Sequence, residues 1–158
     1  MFDLPPNLPD PVDPPASAVH QCVEYAAQGY GVHPFVIMAV LQVENGKIGT
    51  VSKNSNGSYD LGLMQLNTIN LPAISSEFPG VTWREVTYSP CVNIGVGTWF
   101  LSERIREVNG DVWRGVGNYH SKTPKYHRRY LSKVQSKYRD IVAKYRKLLS
   151  RQSISDRR

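Results

Sequence analysis

A chain of 158 residues with 41% hydrophobic and 20% charged positions is long enough for one domain with a real core, and its composition is that of an ordinary globular protein. Its longest apolar run, Phe35 to Leu41, is far too short to span a bilayer, so no transmembrane segment is expected. The charge is uneven: residues 1–121 carry 6 Lys+Arg against 11 Asp+Glu, a balance of −5, whereas residues 122–158 carry 13 against 2, a balance of +11.

The start of the chain, Met1 to Pro6, has no basic head and no apolar stretch, so no signal peptide is visible. Either the protein is not exported by that route, or this is a mature form with a new start methionine. Residues 1–15 are rich in proline and aspartate and read as an extended, weakly structured leader. Residues 16–150 read as a single domain ending in a long basic helix, and residues 151–158 as a frayed basic tail.

A first helix is predicted from Ser17, as N-cap, to about Gln28, with Ala18, Cys22, Tyr25 and Ala26 as its inward stripe and Gly29 to Gly31 as its stop. Pro34 suits the first turn of a second helix, because the amide it lacks would be unpaired there anyway. That helix carries Glu44 in its last turn and ends at Asn45-Gly46. Asn56-Gly57, between two short extended pieces, predicts a hairpin: a small ribbon rather than a full sheet. Gly62 to Asn67 is read as opening a helical turn, and Pro72 and Pro79-Gly80 interrupt the chain beyond it. Thr82 and Glu85 have capping-box spacing for a short helix. Ser89-Pro90 starts the next, with Cys91, Ile94, Leu101, Ile105 and Val108 as its stripe and Gly110 as its stop. Asp111 caps a short helix toward Val116. Thr123-Pro124 opens a long one, in which Leu131, Val134, Tyr138, Ile141, Val142, Tyr145 and Leu149 recur at helical spacing. Its other face is almost wholly Lys and Arg. The fold class is therefore mainly α: a helical domain with one small polar β-ribbon just after the second helix.

The two cysteines, Cys22 and Cys91, are either buried thiols or one disulfide, and a bridge would imply an oxidising compartment. No Cys-x-x-Cys pair exists, and His20, His33, His120 and His127 show no metal-ligand spacing, so neither a metal nor a cofactor is expected.

Chemistry centres on Glu44. Ile37, Val40 and Leu41 lie seven, four and three positions before it, which puts its carboxyl on the apolar face of its helix. Burial there disfavours the charged form and raises the pKa, as a general acid requires. The competing reading is a solvated glutamate paired with Lys47, three residues on. Glycosidic cleavage is the reaction that sets a protonated carboxyl beside groups that hold a sugar. A second carboxylate, Asp60, stands across the ribbon; it either joins the chemistry or fixes the ribbon through backbone amides.

Glu44, then Asn56 to Asn67 (NGSYDLGLMQLN), then Gly117 to Ser121 (GNYHS), resemble the three motifs of the lysozyme-like lytic transglycosylases, the SLT family. The likeness is greatest to the small specialised members that accompany conjugation and type III or IV secretion machines. It covers roughly residues 17–122, and the Gly-Leu-Met-Gln stretch at this distance from the glutamate is its specific part. The resemblance implies a lysozyme-like fold and a single catalytic acid/base, Glu44. It implies that Tyr119 and Asn56 support the carboxyl, and that Gly62, Met64, Gln65 and Asp60 contact the substrate. Cys22 and Cys91 would be bridged, joining the first helix to the one after the ribbon. The substrate would be peptidoglycan glycan strands, cut between N-acetylmuramic acid and N-acetylglucosamine with closure of a 1,6-anhydro ring and no cofactor. Components of a secretion or conjugation machine would be partners, and the location periplasmic. Tyr119-His120-Ser121 stands where many members have Tyr-Asn-x-Gly, and Asn45 where many have serine; the first departure favours the secretion and conjugation branch.

Three other readings stand beside this one. A lysozyme would use the same fold and bond with water as the attacking group. A non-catalytic peptidoglycan-binding assembly factor would keep Glu44 as a vestige. Nucleic-acid binding through the basic end lacks any known motif and is not expected.

Overall fold

A computed structural model gives the structure of residues 4–155. Residues 1–3 of the leader and 156–158 of the tail lie outside the described residues.

Helix α1, Ala16–Tyr30, takes its first backbone bond from Pro15, whose carbonyl accepts from the Val19 amide, so Ser17 lies inside the first turn and does not cap it. The helix buries Cys22, Val23, Ala26 and Ala27 and leaves Tyr25 83% exposed. The expected stripe is thus rotated: small side chains face the neighbouring helix, and the tyrosine points to water. Gly31 ends α1 in the left-handed conformation, φ 65°.

Helix α2, Pro34–Glu44, is capped by the His33 ring, which accepts from the Phe35 amide, and ends at left-handed Asn45, φ 53°. It buries Val36, Ile37, Ala39 and Val40, so it runs through the core rather than along the surface. Lys47 just beyond it pairs with Asp13 at 3.3 Å, not with Glu44. Val12 and Ile48 exchange backbone hydrogen bonds at 2.9 and 3.0 Å, which ties this part of the leader to the chain below the sheet.

Strands β1 (Val51–Lys53), β2 (Tyr59–Leu61) and β3 (Leu66–Asn67) form an antiparallel sheet in that order. Ser52 pairs with Asp60, and Asp60 with Asn67. The hairpin turn at Asn56-Gly57 forms as expected, with Gly57 at φ 83°. The helical turn expected at Gly62 to Asn67 does not form. Gly62 and Gln65 are both left-handed, φ 67° and 50°, and fold the chain back to supply β3. The Met64 amide that a helix would use donates instead to Asn93 Oδ1 at 2.7 Å.

A 3-10 turn, Thr68–Asn70, leads to α3, Leu71–Glu77; Pro72 sits in its first turn and does not interrupt it. The capping box of Thr82 and Glu85 opens α4, Trp83–Tyr88. Helix α5, Pro90–Arg106, is capped by Ser89. It separates two apolar clusters, with Ile94 and Leu101 in the larger and Val96 in the smaller. A one-sided stripe therefore does not describe it, and Val108 falls beyond its end. Asp111 caps α6, Val112–His120, which runs a turn past Val116.

Helix α7, Pro124–Ser155, continues into the segment read as a tail. Its stripe joins the larger cluster as far as Tyr138 and Ile141; beyond them Tyr145, 48% exposed, still sets its ring edge-on to Phe35 at 5.2 Å, and Leu149 is 47% exposed. Among the described residues no helix is long and apolar enough to cross a membrane. Cys22 and Cys91 form a disulfide that ties α1 to the start of α5 across 69 residues of sequence.

One buried side chain joins sheet, α4 and α5. Asn93 accepts from the Met64 amide and donates to the carbonyls of Leu61 and Val86 at 3.0 and 2.7 Å. Asn93→Ala strands one buried donor and two buried acceptors. It should cost about 3 kcal/mol, read as a lower urea midpoint, whereas Asn70→Ala, whose side chain makes no cap hydrogen bond, should change the unfolding free energy by no more than about 0.5 kcal/mol.

Candidate active site

Glu44 is the last residue of α2, so its side chain leaves the helix where the core ends and a groove begins. Helix α7 packs along α2, and the Tyr130 hydroxyl donates to Glu44 Oε1 at 2.6 Å. Tyr130 is only 5% exposed. Its ring stacks on His120, centroids 4.7 Å apart and planes 7° from parallel, and more distantly on Tyr119. The donor is therefore fixed before any ligand arrives.

Burial pushes the Glu44 carboxyl up to about 7. The Tyr130 hydrogen bond opposes that rise, the Asp60 charge adds to it, and Lys133 opposes it. Burial and the Glu44 charge raise both Tyr130 and Tyr119, so each remains a protonated donor. Burial pulls His120 below its ordinary value, which keeps the ring that stacks on Tyr130 neutral near pH 7. Such a carboxyl can give a proton at neutral pH and hold the resulting charge on a ready hydroxyl.

The groove has a volume of about 970 Å³. One wall is the sheet with its turns, bearing Asn54, Asn56, Asp60, Gln65 and Asn67. The other is built from α5, α6 and the start of α7, bearing Phe100, Arg104, Tyr119, His120 and Tyr126. Amide side chains dominate the sheet wall, a surface suited to the hydroxyls and acetamides of a neutral sugar chain. Among the described residues no group of three or more His, Cys, Asp or Glu is placed to share a metal ion.

The residues singled out in the sequence meet this site unevenly. Glu44, Asn56, Asp60, Gln65 and Tyr119 all line the groove. The hydroxyl on Glu44 is not that of Tyr119, however, which donates to the Met64 carbonyl at 2.8 Å and so braces the Gly62–Gln65 turn. Nor does Asn56 reach the carboxyl: its Oδ1 accepts from the Ser58 amide and hydroxyl, closing the hairpin turn. Met64 is fully buried against Gly97 and has no face for a sugar. Gly62 is glycine for an internal reason. Its φ is 67°, and a Cβ there would strike the Asn93 side chain and sit 2.7 Å from the Val86 carbonyl. Gln65 donates to the Gly62 carbonyl at 2.7 Å while facing the groove. Asp60 accepts from the Asn67 side-chain amide at 2.8 Å, so a side chain and not the backbone holds it.

Tyr130 is the residue that sequence reasoning missed. It falls within an alternation of aromatic and basic residues, Tyr126 to Tyr130, just before the apolar stripe read from Leu131 onward. The available signal was its position four before Val134 and eight before Tyr138, on the same helical stripe.

The transglycosylase SLT domain family matches residues 21–142. The chain is also similar to invasion protein IagB of Salmonella typhimurium strain LT2, 30% identical over 125 residues that cover 76% of each chain. Protein IpgF of Shigella flexneri is 27% identical over 146 residues, 87% of each chain. A peptidoglycan-binding-like protein of Escherichia coli O157:H7 is 29% identical over 106 residues, 63% of each.

Two measurements probe the carboxyl. Its folded pKa of about 7 lies above the ordinary 4.5, so its contribution to stability is full below 4.5 and lost as pH rises through 7. Glu44→Gln, which mimics the protonated form, should be more stable than the parent by about 3 kcal/mol at pH 8 and no more stable at pH 4, in denaturant titrations at the two pH values. Tyr130→Phe removes the donor that favours the charged form. The Glu44 carboxyl should then titrate above 7 by carbon-detected NMR, with the overall fold retained.

Proposed function

We propose a function from one premise: the chain belongs to the transglycosylase SLT family. Membership carries a lytic transglycosylase-type function directed at peptidoglycan, at the level of the family. Within it, we propose that this chain cuts the β-1,4 bond between N-acetylmuramic acid and N-acetylglucosamine, leaving a 1,6-anhydromuramic end.

The observation that carries this reading is a single carboxyl, Glu44, held near pH 7 beside a fixed hydroxyl at the head of a long amide-lined groove. In the proposed reaction protonated Glu44 gives its proton to the bridging oxygen, and the bond from that oxygen to C1 of the muramic acid breaks. The acetamide of the same sugar stabilises the cation that develops. Glu44, now a carboxylate accepting from Tyr130, takes the proton of the 6-hydroxyl as that oxygen bonds to C1. The glutamate ends as it began, and no water is consumed. A pKa near 7 suits both halves: a much lower one would empty the acid form, and a much higher one would weaken the base.

A second reading, hydrolysis of the same bond, draws on Asp60, which lines the groove and whose charge acts on Glu44. Its bond from Asn67 argues against a free base there. A purely binding role leaves the buried carboxyl without a use. We propose further that the protein works outside the cytoplasm and opens the wall locally for a secretion or conjugation apparatus. Three features support this: the disulfide, the Tyr119-His120-Ser121 form of the third motif, and likeness to an invasion protein over 76% of each chain.

Mass spectrometry of the fragments released from purified peptidoglycan tests the chemistry. Anhydromuramic ends are expected, lost by at least about a thousandfold in Glu44→Gln. Reducing ends one water heavier would replace this reading with the hydrolase.

A further inference from the structure

The groove does not stop at Glu44. Beyond it lies a second hollow of about 220 Å³ that shares Glu44, His120 and Tyr126 with the main groove and adds Arg129 and Lys133. Tyr126, Arg129, Tyr130 and Lys133 are spaced three, one and three apart, which puts them on one face of α7. That face is turned to the site, because Tyr130 on it reaches Glu44.

The two ends of the groove differ in charge. On the sheet side Arg104 and Lys122 share the Glu107 carboxylate, at 2.7 and 3.0 Å, and Asp60 lines the same groove, so two carboxylates stand against two cations. Among the described residues Arg129 and Lys133 make no salt bridge. The hollow beyond Glu44 instead sets two cations, Arg129 and Lys133, on a concave surface whose only carboxyl among the described residues is Glu44 itself. An arginine and a lysine four apart on a helix present a planar fork and a point charge to the same space, a pairing that suits a carboxylate.

N-acetylglucosamine is uncharged, and the lactyl carboxyl of N-acetylmuramic acid is consumed in the amide bond to its stem peptide. On a peptide-bearing strand the free carboxylates therefore belong to the peptides. Resting on the peptidoglycan-cleaving function proposed above, we infer that Arg129 and Lys133 form an anion subsite that receives a stem-peptide carboxylate, so that the protein selects peptide-bearing strands over bare glycan. The sheet side then holds the neutral sugars, and the α7 side reads the decoration.

Calorimetric binding in the Glu44→Gln background tests this without turnover, and it removes any effect of Lys133 on the Glu44 proton. Two glycan fragments of equal length are compared, one carrying stem peptides and one stripped of them by an amidase and then capped as the methylamide at each lactyl carboxyl, which stripping would otherwise leave charged. The peptide-bearing fragment is expected to bind about tenfold more tightly, a preference that shrinks as salt is raised. Arg129→Gln with Lys133→Gln should abolish the preference and leave binding of the stripped fragment unchanged. Lys144→Gln with Lys147→Gln removes the same charge from α7 outside the hollow and should keep the preference. Equal binding of the two fragments overturns the inference. So does a preference that survives loss of Arg129 and Lys133, or one lost equally in the Lys144 and Lys147 variant, which would make it a diffuse effect of the basic helix. Failure of both fragments to bind overturns it as well. The parent protein's cleavage products separate the two claims: anhydromuramic ends released equally from both substrates remove the subsite alone, whereas no cleavage of either removes the functional reading too.

Discussion

A hydrogen bond between residues 86 positions apart, from Tyr130 to Glu44, is the contact on which the site depends. A carboxyl that is buried and unanswered would simply stay protonated, and one that is fully answered would stay ionised. The tyrosine sets it between the two. For that, α2 must end at Glu44 and α7 must lie along it. Left-handed Asn45 provides the first condition by stopping the helix with the carboxyl at its rim. The second comes from the larger apolar cluster, in which Ile37 and Val40 of α2 meet Tyr130 and Val134 of α7. His120 closes the arrangement from α6 by stacking on the tyrosine ring.

The sheet is placed against this pair by contacts that leave no room for side chains. A Cβ on Gly46 would lie 2.9 Å from the Leu63 carbonyl, so the chain after α2 runs directly against the Gly62–Gln65 turn. Tyr119 and Asn93 grip Met64 of that turn from opposite chemistry, one donating to its carbonyl and the other accepting from its amide. Met64 itself anchors in the core beside Gly97. The stretch carrying Gly62, Met64 and Gln65 is thus mostly a joint between sheet and helices, and only Gln65 among those three faces the groove.

How far the sequence disclosed this depends on the range of the interaction involved. Local rules located the helix starts at Pro34, Thr82, Ser89 and Asp111, because caps and prolines act within one turn. Periodicity placed Glu44 at the edge of the core for the same reason. It misplaced Tyr25, because a side chain's direction is decided by the neighbouring helix and not by its own. It could not see Asn93, a polar residue inside an apolar helix whose partners are 7, 29 and 32 positions away. The turn at Gly62 reads as helical by composition, since only that distant amide diverts it. Likeness to a family named Tyr119 as the residue supporting the carboxyl; geometry gives the bond to Tyr130, which the apolar stripe read from Leu131 onward leaves out.

The basic helix and the acid are electrostatically one system. Lys133 opposes the rise of the Glu44 pKa, so in the free protein it holds part of the population in the charged form. A carboxylate bound at Arg129 and Lys133 would offset that cation and bring a negative charge nearer to Glu44. Both changes favour the protonated acid. Seating a peptide-bearing strand would therefore supply the proton form that the first step of the proposed reaction needs. Once the bond has broken, the Tyr130 hydroxyl, rather than Lys133, is what remains to hold the carboxylate until it takes the proton back. Binding and acid strength would in this way be coupled through the charge in the hollow beside Glu44, which gives the helix's cations a use at the site beyond attraction to an anionic polymer.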